Sequence, residues 1–222
     1  EGTKDFLQKG RELAAEELEA AEDDILYHKG RFQITGTSIG VELFDLASKQ
    51  SQKCISTETE KTVEGRSWPN GCHIAEVEID PETGRVFLAS YGNVDDTGNM
   101  INPMIVEGQI KGGIAQGAGQ VLLEQSVYDS EGQLLTASFM DYAMPRADDL
   151  PLIQSSTFTD APCLTNPLGA KGVGEIGTVG SIPTIANAIL DAMWDQGVRK
   201  FDMPAYPQKI WRLLQEAKNL RQ

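Results

Sequence analysis

The sequence is poor in the residues that hold metal ions and disulfides. It has two histidines, His28 and His73, and three cysteines, none of them in a Cys-x-x-Cys pair. Neither histidine has another histidine or a cysteine at ligand spacing, which argues against a zinc or iron site held by this chain's side chains. Cysteines that are odd in number and far apart are typical of reduced thiols, so we expect a cytoplasmic location.

Basic residues and long apolar runs are also scarce. The 19 lysines and arginines stand against 33 acids, giving a net charge of −14, the wrong sign for a nucleic-acid partner. No apolar run approaches the roughly 20 residues of a bilayer span, and the start lacks the pattern of a signal peptide. The 222 residues and 40% hydrophobic content fit one globular domain, or one with an appendage.

Turn signals and helical spacing predict an α+β fold. Pro81-Glu82-Thr83-Gly84 separates strand-like runs at 72–80 and 86–91, because proline presets a turn and glycine adopts its left-handed position. A second hairpin is expected around Lys29-Gly30. Further short strands are expected around a turn at 128–132 and at 157–159, and 51–66 reads as a polar loop or edge strand. Helices are predicted over about 4–24, 41–48 with Ser38 as N-cap, 103–124, 182–194 and 208–220.

These elements show no regular βαβ alternation, so we expect hairpins and a mixed sheet packed with several helices. We assign residues 1–222 to a single domain, in which the acidic helix and small strands of residues 1–50 could form a peripheral subregion. The acidic face of that helix is interpreted as solvated surface.

The helix predicted over 103–124 contains an unusual number of glycines. They are Gly108, Gly112, Gly113, Gly117 and Gly119, and each costs a helix about 1 kcal/mol relative to alanine. Either another element packs very closely here or a ligand approaches the helix backbone. Gln109, Gln116 and Gln120 share one face of this helix, and their amides would suit a ligand with mixed donors and acceptors.

A second glycine-rich stretch, Gly169 to Gly177, has four glycines among its nine residues and a single carboxylate, Glu175. Glycines allow the backbone to approach a ligand closely, and the lone acid beside them is a candidate base. Gly172 to Gly177 matches the dinucleotide pattern G-x-G-x-x-G. No buried strand precedes the match, so we discount it.

Together these stretches resemble a known family. The similarity rests on several motifs in order: Val106-Glu107-Gly108-Gln109, Gln116-Gly117-Ala118-Gly119-Gln120, Gly172-Val173-Gly174-Glu175, Ile185-Ala186-Asn187-Ala188, Asp202-Met203-Pro204-Ala205 and Ile210-Trp211. They resemble the C-terminal part of the molybdopterin-binding large subunit of the xanthine dehydrogenase, aldehyde oxidase and carbon monoxide dehydrogenase family. The resemblance is strongest from Gly71 to Trp211.

The resemblance implies a function and a set of site residues. Glu175 corresponds to the catalytic base, and Gln109 to a residue that lies against the molybdopterin or the metal's oxo ligand. Gly174, with Gly172 and Lys171 beside it, is then expected to approach the cofactor, Mo-molybdopterin in its cytosine dinucleotide form. The implied reaction hydroxylates a small aldehyde or N-heterocycle, or oxidises carbon monoxide, with water as oxygen source. Iron-sulfur and FAD-binding subunits or domains would carry the electrons away.

Large subunits of this family are several times longer, so we expect this chain to need the remainder of the large subunit, and in isolation to lack cofactor and activity. A different hypothesis also stands, in which the chain is a non-catalytic assembly or cofactor-docking module and Glu175 only caps or packs. The substrate stays open, since a copper-binding cysteine loop typical of carbon monoxide dehydrogenases would lie upstream.

Overall fold

The structure, a computed structural model, describes residues 1–62 and 65–220. It divides the chain into two compact units, Glu1–Val63 and Glu64–Gln222. The assignment of one C-terminal domain with a peripheral subregion at 1–50 stays a prediction. The boundary between the two units, at residues 63 and 64, lies later in the chain than the end of that subregion.

The first unit is a three-stranded antiparallel sheet with two helices. Its elements are α1 (Gly2–Leu18), β1 (Ile25–His28), β2 (Arg31–Ile34), β3 (Gly40–Glu42) and α2 (Leu43–Lys49). The sheet order is β1-β2-β3, and the small core is formed by Ala14, Ile25, Phe32, Val41 and Leu46. Gly10 lets α1 lie directly on the Phe32 ring, because any Cβ there would collide with the ring.

The second unit packs three helices with a mixed sheet. Its elements are β4 (Asn70–Ile79), β5 (Val86–Asp96), α3 (Pro103–Leu122), β6 (Ile153–Phe158), α4 (Ile176–Trp194) and α5 (Pro207–Asn219). β4 pairs with β5 antiparallel, and β6 joins the other edge of β5 in parallel. The main core lies here, with α3 and α4 supplying Ile110, Ile114, Ile185, Ile189 and Met193.

The predicted fold class is confirmed, and so are both hairpins. In the β4–β5 turn, Gly84 has φ +75 and its N–H donates to Asp80 O at 2.7 Å, as the turn chemistry requires. Pro103 begins α3, and Asn102 caps it by accepting from Ile105 N.

Several element boundaries were predicted wrongly. The first helix ends at Leu18, and the N-cap of α2 is Glu42 because Gly40–Glu42 forms β3, which the sequence analysis missed. Residues 128–134 make only an isolated bridge, and β6 starts earlier than expected. Of the polar stretch 51–66, residues 63 and 64 lie outside the described residues, and residues 51–62 form turns and irregular backbone.

The most consequential difference is at α4, which begins at Ile176, six residues before its predicted start. Its early turns contain Gly177 and Gly180, whose helix propensity is poor. Close packing on α3 accounts for the longer helix, since tertiary contacts override weak propensity. The extension places Glu175 at the N-cap.

Candidate functional site

The loop that leads to Glu175 is fastened to the chain just after β5. Gly169 O accepts from the backbone N–H groups of Asn99 and Cys163, both at 2.9 Å, and Lys171 N donates to Thr97 O at 3.1 Å. Gly169 has φ +67, and a Cβ there would lie 2.6 Å from Asn99 Nδ2. Glycine is therefore required at this position for both conformation and space.

A polar side-chain contact strengthens the same attachment. Lys171 Nζ donates to Asp96 Oδ2 at 2.5 Å, and the two side chains are only 10% and 13% exposed. The hydrogen bond from Lys171 lowers the pKa of Asp96 below its ordinary value of 3.8. The Lys171 ammonium thus anchors the loop, and its predicted contact with a cofactor stays a prediction.

Glu175 lies at the N-terminus of α4 with an exposed side chain. Its carbonyl oxygen accepts from Val179 N at 3.0 Å, so its backbone belongs to the first helical turn. The carboxylate makes no capping hydrogen bond to α4. An exposed carboxylate that is not engaged in capping is available to accept a proton from a ligand.

Gln109 on α3 lies beside the Glu175 loop. Its Nε2 is 3.9 Å from the position that a Cβ on Gly174 would occupy. Gln116 contacts α4 instead, since Thr178 Oγ1 lies 3.1 Å from both Gln116 Oε1 and Gly113 O. The structure therefore brings Gln109 and Gly174 together and assigns Gln116 to helix packing.

The glycines of α3 fall into two sets. A Cβ on Gly113 would lie 2.9 Å from Thr178 N and 3.0 Å from the Cα of Gly177, so this position serves the crossing of α3 and α4. By contrast, nothing described lies within 4 Å of a Cβ on Gly108 or Gly112. Close packing thus accounts for Gly113, whereas Gly108 and Gly112 leave open space next to Gln109, where the approach of a ligand stays a prediction.

A cleft of about 500 Å³ opens beside Glu175, and we call it the Glu175 cleft. Its polar side chains are Glu175, His73, Asp95 and Ser67. The remaining lining is apolar side chains and glycine backbone, including Trp68, Ile176, Val179, Gly172, Gly174 and Gly180. Clefts of this volume, apolar with a few convergent polar groups, are typical of small-molecule sites.

Under the Glu175 cleft lies a polar network that the sequence analysis did not predict. His73 Nδ1 lies 2.7 Å from the Tyr91 hydroxyl, and His73 Nε2 lies 3.0 Å from Asp95 Oδ1. Asn93 Nδ2 donates to the other Asp95 oxygen at 2.6 Å. Burial, followed by the nearby charge of Asp95, raises the pKa of Tyr91 well above its usual value.

A signal for this network was present in the sequence. Tyr91, Asn93 and Asp95 alternate along β5, so they share one face of the sheet, and that face is the buried one. Polar residues at consecutive inward positions are unusual, because a buried polar group must find a partner. Searching for one would have led to His73, which faces this row from β4.

Two further properties, the absence of a metal-ligand cluster and the apolar length of the helices, apply to the described residues alone. Within them, no group of three or more histidine, cysteine, aspartate or glutamate side chains could hold a metal ion. One described helix, α4, is long and apolar enough to cross a membrane by length and composition, which alone is weak evidence for a span. Its residues Ile185, Ile189 and Met193 are buried in the core, as is typical of a helix that packs within a domain.

Comparison with known proteins gives consistent relatives. A family profile described as a molybdopterin cofactor-binding domain matches residues 1–151. The chain is 34% identical over 214 residues to the 6-hydroxypseudooxynicotine dehydrogenase complex subunit gamma of Paenarthrobacter nicotinovorans, covering 92% of this chain and 27% of that protein. It is also 34% identical over 216 residues to the carbon monoxide dehydrogenase large chain of Hydrogenophaga pseudoflava, covering 94% and 27%.

Solved structures agree with these relatives. Quinoline 2-oxidoreductase from Pseudomonas putida 86 superposes with a TM-score of 0.79 at 34% identity, covering 96% of this chain and 28% of that one. Reconstituted carbon monoxide dehydrogenase from Oligotropha carboxidovorans gives a TM-score of 0.80 at 28% identity, covering 99% and 28%. The chain thus spans a little over a quarter of the length of the relatives it matches.

Proposed function

The chain belongs to the molybdopterin-binding part of the molybdenum hydroxylase family, and from that premise we propose that it contributes the catalytic base, Glu175, to a molybdenum-dependent oxidoreductase. The single observation that carries the proposal is the approach of Gln109 to Gly174 beside Glu175, which brings two distant motifs to one place. The complete enzyme would oxidise a small aldehyde, an N-heterocycle or carbon monoxide, with water as oxygen source.

The residues around Glu175 fit a large, planar cofactor. At Gly108, Gly112 and Gly172, apart from the local backbone and the adjoining residues, no described atom lies within 4 Å of the position that a Cβ would occupy, so backbone is accessible at all three. Gln109 would donate or accept hydrogen bonds at the edge of the cofactor, and the backbone of Gly172 and Gly174 would lie against it. Bound there, the molybdenum cofactor, proposed in its cytosine dinucleotide form, would supply the oxidising centre and accept the electrons.

Glu175 would act on the proton of the reacting water. Its carboxylate oxygens can hold that proton, since the side chain is exposed at the mouth of the Glu175 cleft and makes no helix cap. The anchored loop, held by Lys171 and Gly169, would keep the carboxylate in place while the proton moves. General base catalysis of this kind contributes roughly 10²–10⁴-fold to a rate.

The remaining parts of the enzyme would come from elsewhere. Several relatives are by name subunits of larger complexes, the gamma subunit and the large chain among them. We therefore propose that the remainder of the large subunit completes the cofactor site, that iron-sulfur and FAD-binding partners carry the electrons, and that the isolated chain is inactive. We retain the proposal of a cytoplasmic location.

Replacing Glu175 by glutamine in the complete enzyme tests the assignment. We expect kcat to fall by roughly 10²–10⁴-fold while the molybdenum content stays that of the wild type, because only the proton acceptor is lost. Glu131→Gln, an exposed carboxylate in the turn at 129–133, is the matched control and should leave kcat unchanged. Unchanged turnover of Glu175→Gln with normal molybdenum would instead favour the cofactor-docking module.

The substrate class needs its own assay. Proteins about 34% identical to this chain include the nicotine 6-hydroxylase large subunit of Paenarthrobacter nicotinovorans, quinoline 2-oxidoreductase and a carbon monoxide dehydrogenase large chain, so the identity does not select one substrate class. Turnover of the complete enzyme with carbon monoxide, an aldehyde and an N-heterocycle would assign the class directly.

A further inference from the structure

His73 is held rigidly beneath the Glu175 cleft. Both ring nitrogens have partners on β5, the Tyr91 hydroxyl and the Asp95 carboxylate, whose residues are 1% and 0% exposed. A carboxylate only accepts, so Nε2 carries a hydrogen toward Asp95. With both nitrogens occupied by buried partners, the ring has a single orientation.

The fixed ring lies directly against α4. A Cβ built on Gly180 would lie 2.7 Å from three atoms of the His73 ring, so the helix backbone rests on the imidazole with no room for a side chain. Thr184 Oγ1, one turn further along α4, donates to Gly180 O at 2.7 Å. The network thus contacts α4 through the His73 ring, at Gly180.

These contacts concern the same helix end that carries Glu175. Gly180 is in the turn after the first turn of α4, and Glu175 is the N-cap residue. Gly177, within the first turn, rests on the α3 backbone, where a Cβ would lie 2.9 Å from Ile114 N. The start of α4 is therefore located by α3 at Gly177 and by the His73 ring at Gly180.

We propose that His73 is a positioning residue that, through Gly180, sets the place of Glu175 in the Glu175 cleft. The inference rests on the proposed role of Glu175 as base. His73 does not take the proton itself; it fixes the distance between the carboxylate and the reacting atoms. Displacement of a reacting group by about 1 Å can cost roughly 100-fold in rate, so the effect should appear in kcat.

Three substitutions in the complete enzyme separate the parts of this arrangement. His73→Phe keeps a flat ring against Gly180 but loses both hydrogen bonds, and His73→Gln keeps an amide that can donate to Asp95. Gly180→Ala keeps every polar group and pushes α4 away from the ring. His28→Phe, at the other histidine of the chain, which is exposed, is the matched control.

We expect His73→Phe and Gly180→Ala to lower kcat by about 10- to 100-fold, with KM within about twofold and molybdenum content unchanged. His73→Gln should recover part of the loss, and His28→Phe should match the wild type. Crystal structures of the variants, with or without cofactor, should show Glu175 displaced in His73→Phe and Gly180→Ala. Gly180→Ala keeps the proposal testable if His73→Phe does not assemble.

The outcomes are separable from those of the proposed function. If Glu175→Gln is inactive while both His73→Phe and Gly180→Ala keep wild-type kcat, the positioning role is overturned and the base assignment stands. If Glu175→Gln is active, the base assignment fails, and the position of Glu175 in the variant structures alone decides whether His73 locates it. The positioning role would also be overturned if the molybdenum content of His73→Phe and Gly180→Ala fell as much as kcat does. It would likewise be overturned if KM rose and kcat did not change.

Discussion

Gly113 and Gly112 are neighbours on α3, yet the atoms around them differ completely. Gly113 contacts the backbone of Gly177 and Thr178 on α4, whereas no described atom outside the adjoining residues and the backbone of α3 lies within 4 Å of a Cβ on Gly112. Glycine thus meets two different requirements within one helix. At the α3–α4 crossing glycine allows two backbones to touch, and on the open face next to Gln109 it leaves backbone uncovered.

The difference shows why composition alone could not choose between a packing role and a ligand role. Both sets of glycines carry the same propensity cost, about 1 kcal/mol each relative to alanine. At the crossing, the contact with α4 offsets this cost within the described structure. On the open face nothing described offsets it, and that contrast is what supports a ligand there.

The largest expected effect is at the crossing itself, in Gly177→Ala. The added methyl group would collide with Ile110 O and lie 2.9 Å from Ile114 N, and both of these are backbone atoms that cannot rotate away. We expect unfolding free energy to fall by about 3 kcal/mol, the upper part of the range for overpacked cores. Urea unfolding of the chain measures this change in the free energy of unfolding. A variant as stable as the wild type would show that α3 and α4 can move apart enough to accommodate a methyl group.

A smaller effect is expected at Lys171→Met, which removes the polar anchor of the loop and leaves the crossing intact. Loss of the hydrogen bond to the Asp96 carboxylate should cost about 2 kcal/mol near neutral pH. The pKa of Asp96 is lowered in the folded state, so its contribution is present above 3.8 and is lost as pH falls through the lower, folded value.

The stability difference between wild type and Lys171→Met should therefore narrow below pH 4 or so as Asp96 becomes protonated in both proteins. Denaturant midpoints measured from pH 7 down to about 3 would follow it. Glu131→Gln is a useful control, since that exposed carboxylate lies in the turn at 129–133, outside the Lys171 loop. A difference that is independent of pH would mean that Lys171 acts by packing and not by charge.

The sequence predicted the features that depend on neighbouring residues. The turn at Gly84 and the start of α3 at Pro103 follow from local backbone rules, and Glu175 and Gln109 were singled out by their motifs. Features that depend on distant residues were missed. The early start of α4 needs the α3 backbone under Gly177, and the role of His73 needs Asp95 and Tyr91 on another strand.

The smallest expected effect has the opposite sign and lies on the open face, at Gly112→Ala. With no described neighbour within 4 Å, the methyl group should stabilise α3 by about 0.5–1 kcal/mol, the usual gain of alanine over glycine within a helix. In the complete enzyme the same methyl group should lower the molybdenum content, because it would occupy space proposed for the cofactor. Urea unfolding and metal analysis give the two readouts. A stabilised chain with full molybdenum content would remove the ligand explanation for this face, and the contrast between Gly112 and Gly113 would then be one of packing alone.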